Sequence, residues 1–253
     1  AADNPAAYLP DVATTLNNLG VLYKDTQRLA EAQQAYTEAL EIRRKLAADN
    51  PAAYLSYVAG TLNNLGLLYS NTSRLAEAEQ AYTEALEIYR KLTADNPAAY
   101  LPHLAGALNN LGVLYKDTSR LAQAQQAYTE ALGIYRKLAA ENPAAYLPYV
   151  AMTLNNLGVL EITNEKYSGA SAHFIEALGI REKLAAANPA AFDLDLCTTM
   201  LTIVFLNNSA PDIVSAAGVD IPALINRAGE ILNKYPDIPQ AQELLKMAEE
   251  LRK

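Results

Sequence analysis

Apolar residues fall along this chain at helical spacing, and the spacing itself recurs. Leu16, Leu19, Leu22 and Tyr23 lie three and four apart, so they share one face of a helix. The polar stretch "KDTQ" interrupts that face, since Asp and Thr bond to nearby backbone and favour turns. Leu29, Ala32, Tyr36, Ala39 and Leu40 then resume it, which predicts a second helix over about residues 28–47. The next helix is announced by "NPAA", with asparagine placed to cap it and proline at its first position. Pro10, Pro102 and Pro148 follow six residues after each capping asparagine, where they are expected to start or bend the first helix; Ser56 holds that slot in the second unit.

"NPAA" begins at residues 4, 50, 96, 142 and 188, a constant step of 46. Self-similarity at a fixed period means stacked modules, each too small to bury its apolar face alone. After Pro189 the copying decays. Met200, Ile203 and Val204 still fit a first helix, "LNNSAPDIVSAAGVDIP" reads as an irregular connector, and "ALINRAGEILNKYP" reads as a second helix. Ile238, Ala241, Leu244, Leu245, Ala248 and Leu251 form a last one-sided stripe, as a terminal cap of a repeat array requires. The expected organisation is four units over 1–188, then a divergent fifth unit with a capping helix over 189–253. The fold class is all-α, built of antiparallel helix pairs.

Composition narrows the function. Twenty Lys+Arg stand against 28 Asp+Glu, a net charge of −8, and no basic stripe offsets it, which argues against nucleic-acid binding. No apolar run is read as approaching the roughly 18 residues of a membrane span, so no membrane partner is expected. The opening "AADNP", without an initiator Met, is expected of a segment of a longer chain. The single cysteine, Cys197, offers no disulfide or ligand cluster. His103 and His173 sit in unrelated phases of the repeat without companions at metal or triad spacing, and both read as surface residues. Glu38, Glu84, Glu130 and Glu176 recur because the module recurs, and read as a solvated face. No phosphate-binding glycine loop or nucleophile motif occurs, so neither enzyme activity nor a cofactor or metal is expected.

Seven positions recur in register: Leu16, Leu19, Gly20, Tyr23, Ala32, Tyr36 and Ala39 in the first unit, with Glu161 replacing the tyrosine in the fourth. This signature resembles the tetratricopeptide repeat, and "TLNNLGVLY" and "ALEIRRKLAADNP" resemble its long variant in kinesin light chains. The resemblance implies an α-α superhelix whose first helices line a concave groove that takes a peptide or partner segment. Counting around the helix from Gly20 then puts Thr14, Asn17, Val21, Lys24 and Asp25 on the groove face. The expected peptide site is Asn17, Asn63, Asn109 and Asn155, an apolar stripe of Val21, Leu67, Val113 and Val159, and Lys24 with Lys116 favouring some acidic character. The second asparagines, Asn18, Asn64, Asn110 and Asn156, are turned by about 100° toward a neighbouring module. A primary amide offers donor and acceptor together, matching a peptide bond. The chaperone-binding carboxylate clamp of the family wants lysine at position 17 and asparagine at position 21, which this chain lacks. Two other readings stay open: a scaffold or spacer that self-associates end to end through repeat stacking, and a sensor arm of a larger protein.

Overall fold

The computed structural model describes residues 5–251, and every regular element among them is a helix. After a short 3-10 turn, Pro5–Tyr8, the helices are α1 Leu9–Asp25, α2 Leu29–Asp49, α3 Pro51–Asn71, α4 Leu75–Asp95, α5 Pro97–Asp117, α6 Leu121–Glu141, α7 Pro143–Thr163 and α8 Tyr167–Ala187. Then come α9 Pro189–Ser209, α10 Pro211–Ala216, α11 Ile221–Leu232 and α12 Pro239–Glu250. By packing, the chain divides into residues 1–131 and 132–253, the division falling within α6.

The sequence signals start and stop these helices as read. Asn50, Asn96 and Asn142 accept at Oδ1 from the backbone N–H of Ala53, Ala99 and Ala145, at 3.2, 3.3 and 3.3 Å. Asn188 makes no such bond, and Asn4 lies outside the described residues. Pro102 and Pro148 sit inside α5 and α7 without ending them. Each first helix closes by a tight turn whose second-last residue takes positive φ: Gln27, Ser73, Ser119 and Glu165. In the first unit Arg28 N–H then reaches back to the Tyr23 carbonyl at 2.8 Å, which satisfies an orphan carbonyl of the helix end. That return lays the Arg28 guanidinium on the Tyr23 ring, 4.3 Å from its centre, and Arg74 on Tyr69 and Arg120 on Tyr115 repeat the stack.

Within residues 1–131 each helix pair is locked at its glycine. A Cβ on Gly20 would lie 2.5 Å from Tyr36 Cε1, and one on Gly66 or Gly112 would lie 2.6 Å from Tyr82 or Tyr128. Residues 132–253 repeat the lock with Gly158 against Phe174. Successive second helices are joined by Arg44–Glu84, Arg90–Glu130 and Arg136–Glu176, at 2.6, 3.1 and 2.6 Å. Those glutamates are therefore paired across units, not merely solvated as the sequence suggested.

In residues 132–253 the core continues through α9. Leu196, Cys197, Met200 and Leu201 pack against Ala228, Ile231 and Leu232 of α11 and Ala241 and Ala248 of α12. The expected irregular connector contains the six-residue helix α10. One sequence expectation fails here: α9 is 21 residues long with a hydropathy of 1.5, long and apolar enough to cross a membrane by length and composition. Asp193, Asp195 and the closing asparagines disguise that run in the sequence. Half of its apolar window is buried, and it serves as the central helix of this core.

Two outcomes follow from this packing. Gly66→Ala should cost about 1–3 kcal/mol in urea denaturation, whereas Gly133→Ala in α6, with nothing within 4 Å of its added Cβ, should gain about 0.5–1 kcal/mol. Burial raises the Tyr36 and Tyr89 phenols and the Cys197 thiol to about 12, and it raises Tyr82, Tyr128 and Tyr135 as well. The unfolded chain ionises these groups near their ordinary values of 10.0 and 9.0. Their contribution to stability is therefore complete below about pH 9 and is lost as pH climbs toward 12. Thermal melts should be flat between neutrality and pH 9 and fall steeply from pH 10 to 12; a flat profile to pH 12 would contradict the burial.

Candidate functional site

The exposure of each first helix follows a seven-residue rhythm. On α5 the residues left at least partly open along this rhythm are His103, Gly106, Asn110, Val113 and Asp117, and on α3 they are Tyr57, Gly60, Asn64, Leu67 and Asn71. Steps of three and four define one helical strip, flanked on both sides by packing against other helices. The second asparagine of each pair lies on this strip. The first is rotated about 100° away, toward a junction: Asn17 and Asn63 are half-buried, and Asn109 and Asn155 are buried at 5% and 8% exposure. The expectation that the first asparagines stand open is corrected for Asn109 and Asn155, while Asn17 and Asn63 keep partial exposure. It counted rotation from the glycine but not how far the neighbouring helix pair wraps over the side.

Two of the second asparagines, Asn64 and Asn110, reach a neighbouring module as expected, and the group each reaches is a first asparagine. Asn64 Nδ2 donates to Asn17 Oδ1 at 3.3 Å, and Asn110 Nδ2 donates to Asn63 Oδ1 at 3.1 Å. Among residues 132–253, Asn155 Nδ2 donates to Thr199 Oγ1 at 3.2 Å, leaving its buried Oδ1 without a partner. The wired pairs leave Asn17 Nδ2 as a donor and Asn64 Oδ1 as an acceptor, unused among the described residues.

These amides wall an open cavity of about 530 Å³ within residues 1–131. Thr14, Asn17 and Asn18 of α1 line it with Ser56, Tyr57, Gly60, Asn63 and Asn64 of α3, and Tyr100 and His103 of α5 complete the wall. Arg43 of α2 and Tyr89 of α4 reach it from behind. His103 stacks on Tyr89 with ring centres 5.6 Å apart, and Arg43 lies over Tyr57 at 5.3 Å. Sequence reasoning missed Arg43, Tyr57, Tyr89 and Tyr100. The available signal was a break in the copying, because the slot of Arg43 holds Tyr89, Tyr135 and Arg181 in later units.

The other expected site residues stand elsewhere on the strip or beside it. Val21 and Val159 are exposed at 36% and 38%, and Leu67 and Val113 are half-buried. Lys24 and Lys116 are each tied to the next residue, Asp25 and Asp117, at 2.5 and 2.6 Å. These solvent-exposed pairs set an acid beside each lysine.

The fourth unit departs from the others by a coordinated exchange. Glu161 replaces the signature tyrosine and is buried, and it takes a hydrogen bond with His173 Nδ1 at 2.8 Å. His173 stands where earlier units have Ala35, Ala81 and Ala127, and Gly169 makes room, since a Cβ there would meet Glu161 Oε1 at 2.8 Å. His173 is therefore half-buried and partnered, against the expectation of a surface histidine. Among the described residues no group of three His, Cys, Asp or Glu is arranged to hold a metal ion.

Family models described as "Tetratricopeptide repeat" match residues 57–137, and residues 12–52 and 150–188. Comparison with curated proteins gives no match. Among solved structures, BtubC (BKLC) from P. vanneervenii is similar at 23% identity, covering 94% of this chain and 95% of its own, with a TM-score of 0.59. The apo form of RapI is similar at 14% identity, 96% and 83% coverage and a TM-score of 0.64. The nearly identical TPR-like repeats of a kinesin light chain candidate from Podosopora anserina match at 14% identity, 99% and 97% coverage and a TM-score of 0.59.

His173→Ala should strand the Glu161 carboxylate and cost about 1–3 kcal/mol in denaturant unfolding. Glu161→Tyr added to it restores the side chains of the first three units and should recover most of that loss. A double variant no more stable than the single one would show that the pair is not what replaces the tyrosine stack.

Proposed function

The chain belongs to the tetratricopeptide repeat family, and from that premise we propose that residues 1–131 bind an extended peptide along the cavity edged by the asparagine pairs of α1 and α3. Repeats of this family mediate protein–protein contact, which sets the class of partner. The observation that carries the finer reading is the wiring of the amides. Asn64 gives one of its two N–H groups to Asn17, so the two amides hold each other and the junction presents amide N–H groups beside the Asn64 C=O in fixed orientation. That is the complement of a single peptide group, and holding both amides in place beforehand lowers the entropic cost of binding. Asn110 donating to Asn63 repeats the wiring one unit along. Val21, Leu67 and Val113 extend the strip beyond the amides and suit apolar side chains of the same peptide. Contacts to backbone discriminate little between sequences, so selectivity falls to the side-chain subsites between the asparagines.

The scaffold reading draws on a different feature, the arginine–glutamate joints between second helices. Exposed pairs of this kind add only about 0–1 kcal/mol each, so they register the modules more than they stiffen the array.

A phage-displayed library of random dodecapeptides selected on the intact chain should yield binders. Asn64→Ala should weaken a selected peptide by up to about tenfold, the worth of one hydrogen bond. N-methylation of one peptide amide should weaken it comparably, without a change in the melting temperature of the protein. Binding indifferent to both changes would remove the asparagines from the site.

A further inference from the structure

The 530 Å³ cavity holds one formal cation that the fold leaves uncompensated. Arg43 is only 6% exposed. Its Nη1 donates to the Tyr57 carbonyl at 3.2 Å and to Thr61 Oγ1 at 2.5 Å, and its guanidinium faces the Tyr57 ring. Nε and Nη2 make no hydrogen bond among the described residues, and no carboxylate there lies within ion-pair distance. A buried guanidinium without a counter-charge is costly to maintain and binds an anion strongly when one arrives.

The chain supplies its own comparison. Arg181 occupies the same slot three units later, equally buried at 6%, with Nη1 bonded to Thr199 Oγ1 and to the Asp195 carbonyl. There the residue matching Tyr57 is Asp195, which is exposed and meets the guanidinium through its backbone carbonyl. Both buried arginines therefore bond a threonine hydroxyl and a backbone carbonyl, and only Arg43 also has an aromatic ring across its face. Arg43 opens on the amide-walled cavity, and the cavity lining contains no Asp or Glu. Asp11 lines a neighbouring space of about 350 Å³ that Arg43 also touches, without pairing to it. In units where the slot is tyrosine, Tyr89 and Tyr135, the ring is stacked by His103 and by Tyr149 and no charge is buried.

We propose that Arg43 receives the side-chain carboxylate of an aspartate or glutamate carried by the bound peptide. This rests on the peptide reading above for its carrier, while the carboxylate site itself stands on Arg43. The asparagines hold main chain on the same wall, which leaves a side chain, not a chain terminus, to reach inward to the guanidinium. Tyr57 and Tyr89 flank that path. His103, stacked across Tyr89, borders the same opening.

The test titrates the intact chain with three small probes, watching the Arg43 Nε–H and the side-chain amides of Asn63 and Asn64 by NMR. N-acetylglutamate methylamide should shift all three saturably, and N-acetylglutamine methylamide should not. Shifts of equal size with both probes, or with neither, overturn the proposal, and shifts with N-acetylglycine alone overturn its assignment to a side chain. Arg43→Tyr with Thr61→Ala installs the residues the chain itself uses at positions 89 and 107, and should abolish the Asn63 and Asn64 response; Arg43→Gln provides a second route if that pair fails to fold. Peptides selected on the wild type should carry Asp or Glu at one fixed position and lose about tenfold or more in affinity on Arg43→Gln. Selected peptides without an acidic position would overturn the proposal and leave the peptide reading intact. A carboxylate response at Arg43 without any selected peptide would do the opposite, sustaining the anion site and sinking the peptide reading.

Discussion

Everything in the array depends on one close contact, the seating of an aromatic ring on a glycine where the two helices of a unit cross. Helices carrying ordinary side chains stay 8–10 Å apart. Removing the Cβ at Gly20 lets the Tyr36 ring lie where that atom would be, and burial of the ring then fixes the pitch and roll of the pair. With that angle set, the same residues always meet the next unit. The arginine–glutamate joints, the amide-to-amide bonds and the strip of exposed positions are consequences of a crossing repeated without variation. The fourth unit makes the point by substitution, because Phe174 fills the seat without a hydroxyl. Tyr36 and Tyr128 bury theirs unpartnered, so it is the ring and not the polar tip that matters.

Above that lock sits a polar layer that is organised rather than merely tolerated. Asparagine in a helix interior gives up helix propensity, and here two in a row are kept in every unit. The bonds of Asn64 and Asn110 run to the preceding unit, so these amides both register the modules and present their remaining groups on a common wall. Stability and recognition draw on the same side chains, which explains how a surface suited to a ligand persists in modules so nearly alike.

Most of the fold was legible from the chain. The 46-residue step, the capping asparagines and the seven recurring positions define the pairs from α2 to α8 closely, since each signal is local in sequence, while α1 starts at Leu9 after a 3-10 turn and α11 ends at Leu232. What escaped depends on contacts between units. Counting residues around an isolated helix cannot tell how far the next pair wraps its flank, and so Asn109 and Asn155 look open in the sequence although they are buried. Lys24 and Lys116 read as isolated charges in the sequence, and the structure adds an ion pair from each to the aspartate that follows it. Arg43 looks like one more surface arginine beside Arg44, and only the packing shows that the first is interior and the second joined to Glu84. In α9 two aspartates hide an apolar helix, because a linear scan weighs Asp193 as solvent-facing although it is buried and takes the Tyr235 hydroxyl at 2.9 Å.

The varied slot that holds Arg43 has a bearing on assembly as well as on binding. Modules this similar could pair out of turn while folding, skipping a unit or closing on the wrong neighbour, a known hazard of repeated sequence. Joints made only of Arg44–Glu84 and its copies would accept such errors, because each end matches every other. The stacks beneath them do not match: arginine meets tyrosine, tyrosine meets histidine, tyrosine meets tyrosine, and arginine meets the backbone of an aspartate. Each joint therefore carries its own label, and a chain that is nearly uniform in sequence still specifies the order in which its parts close.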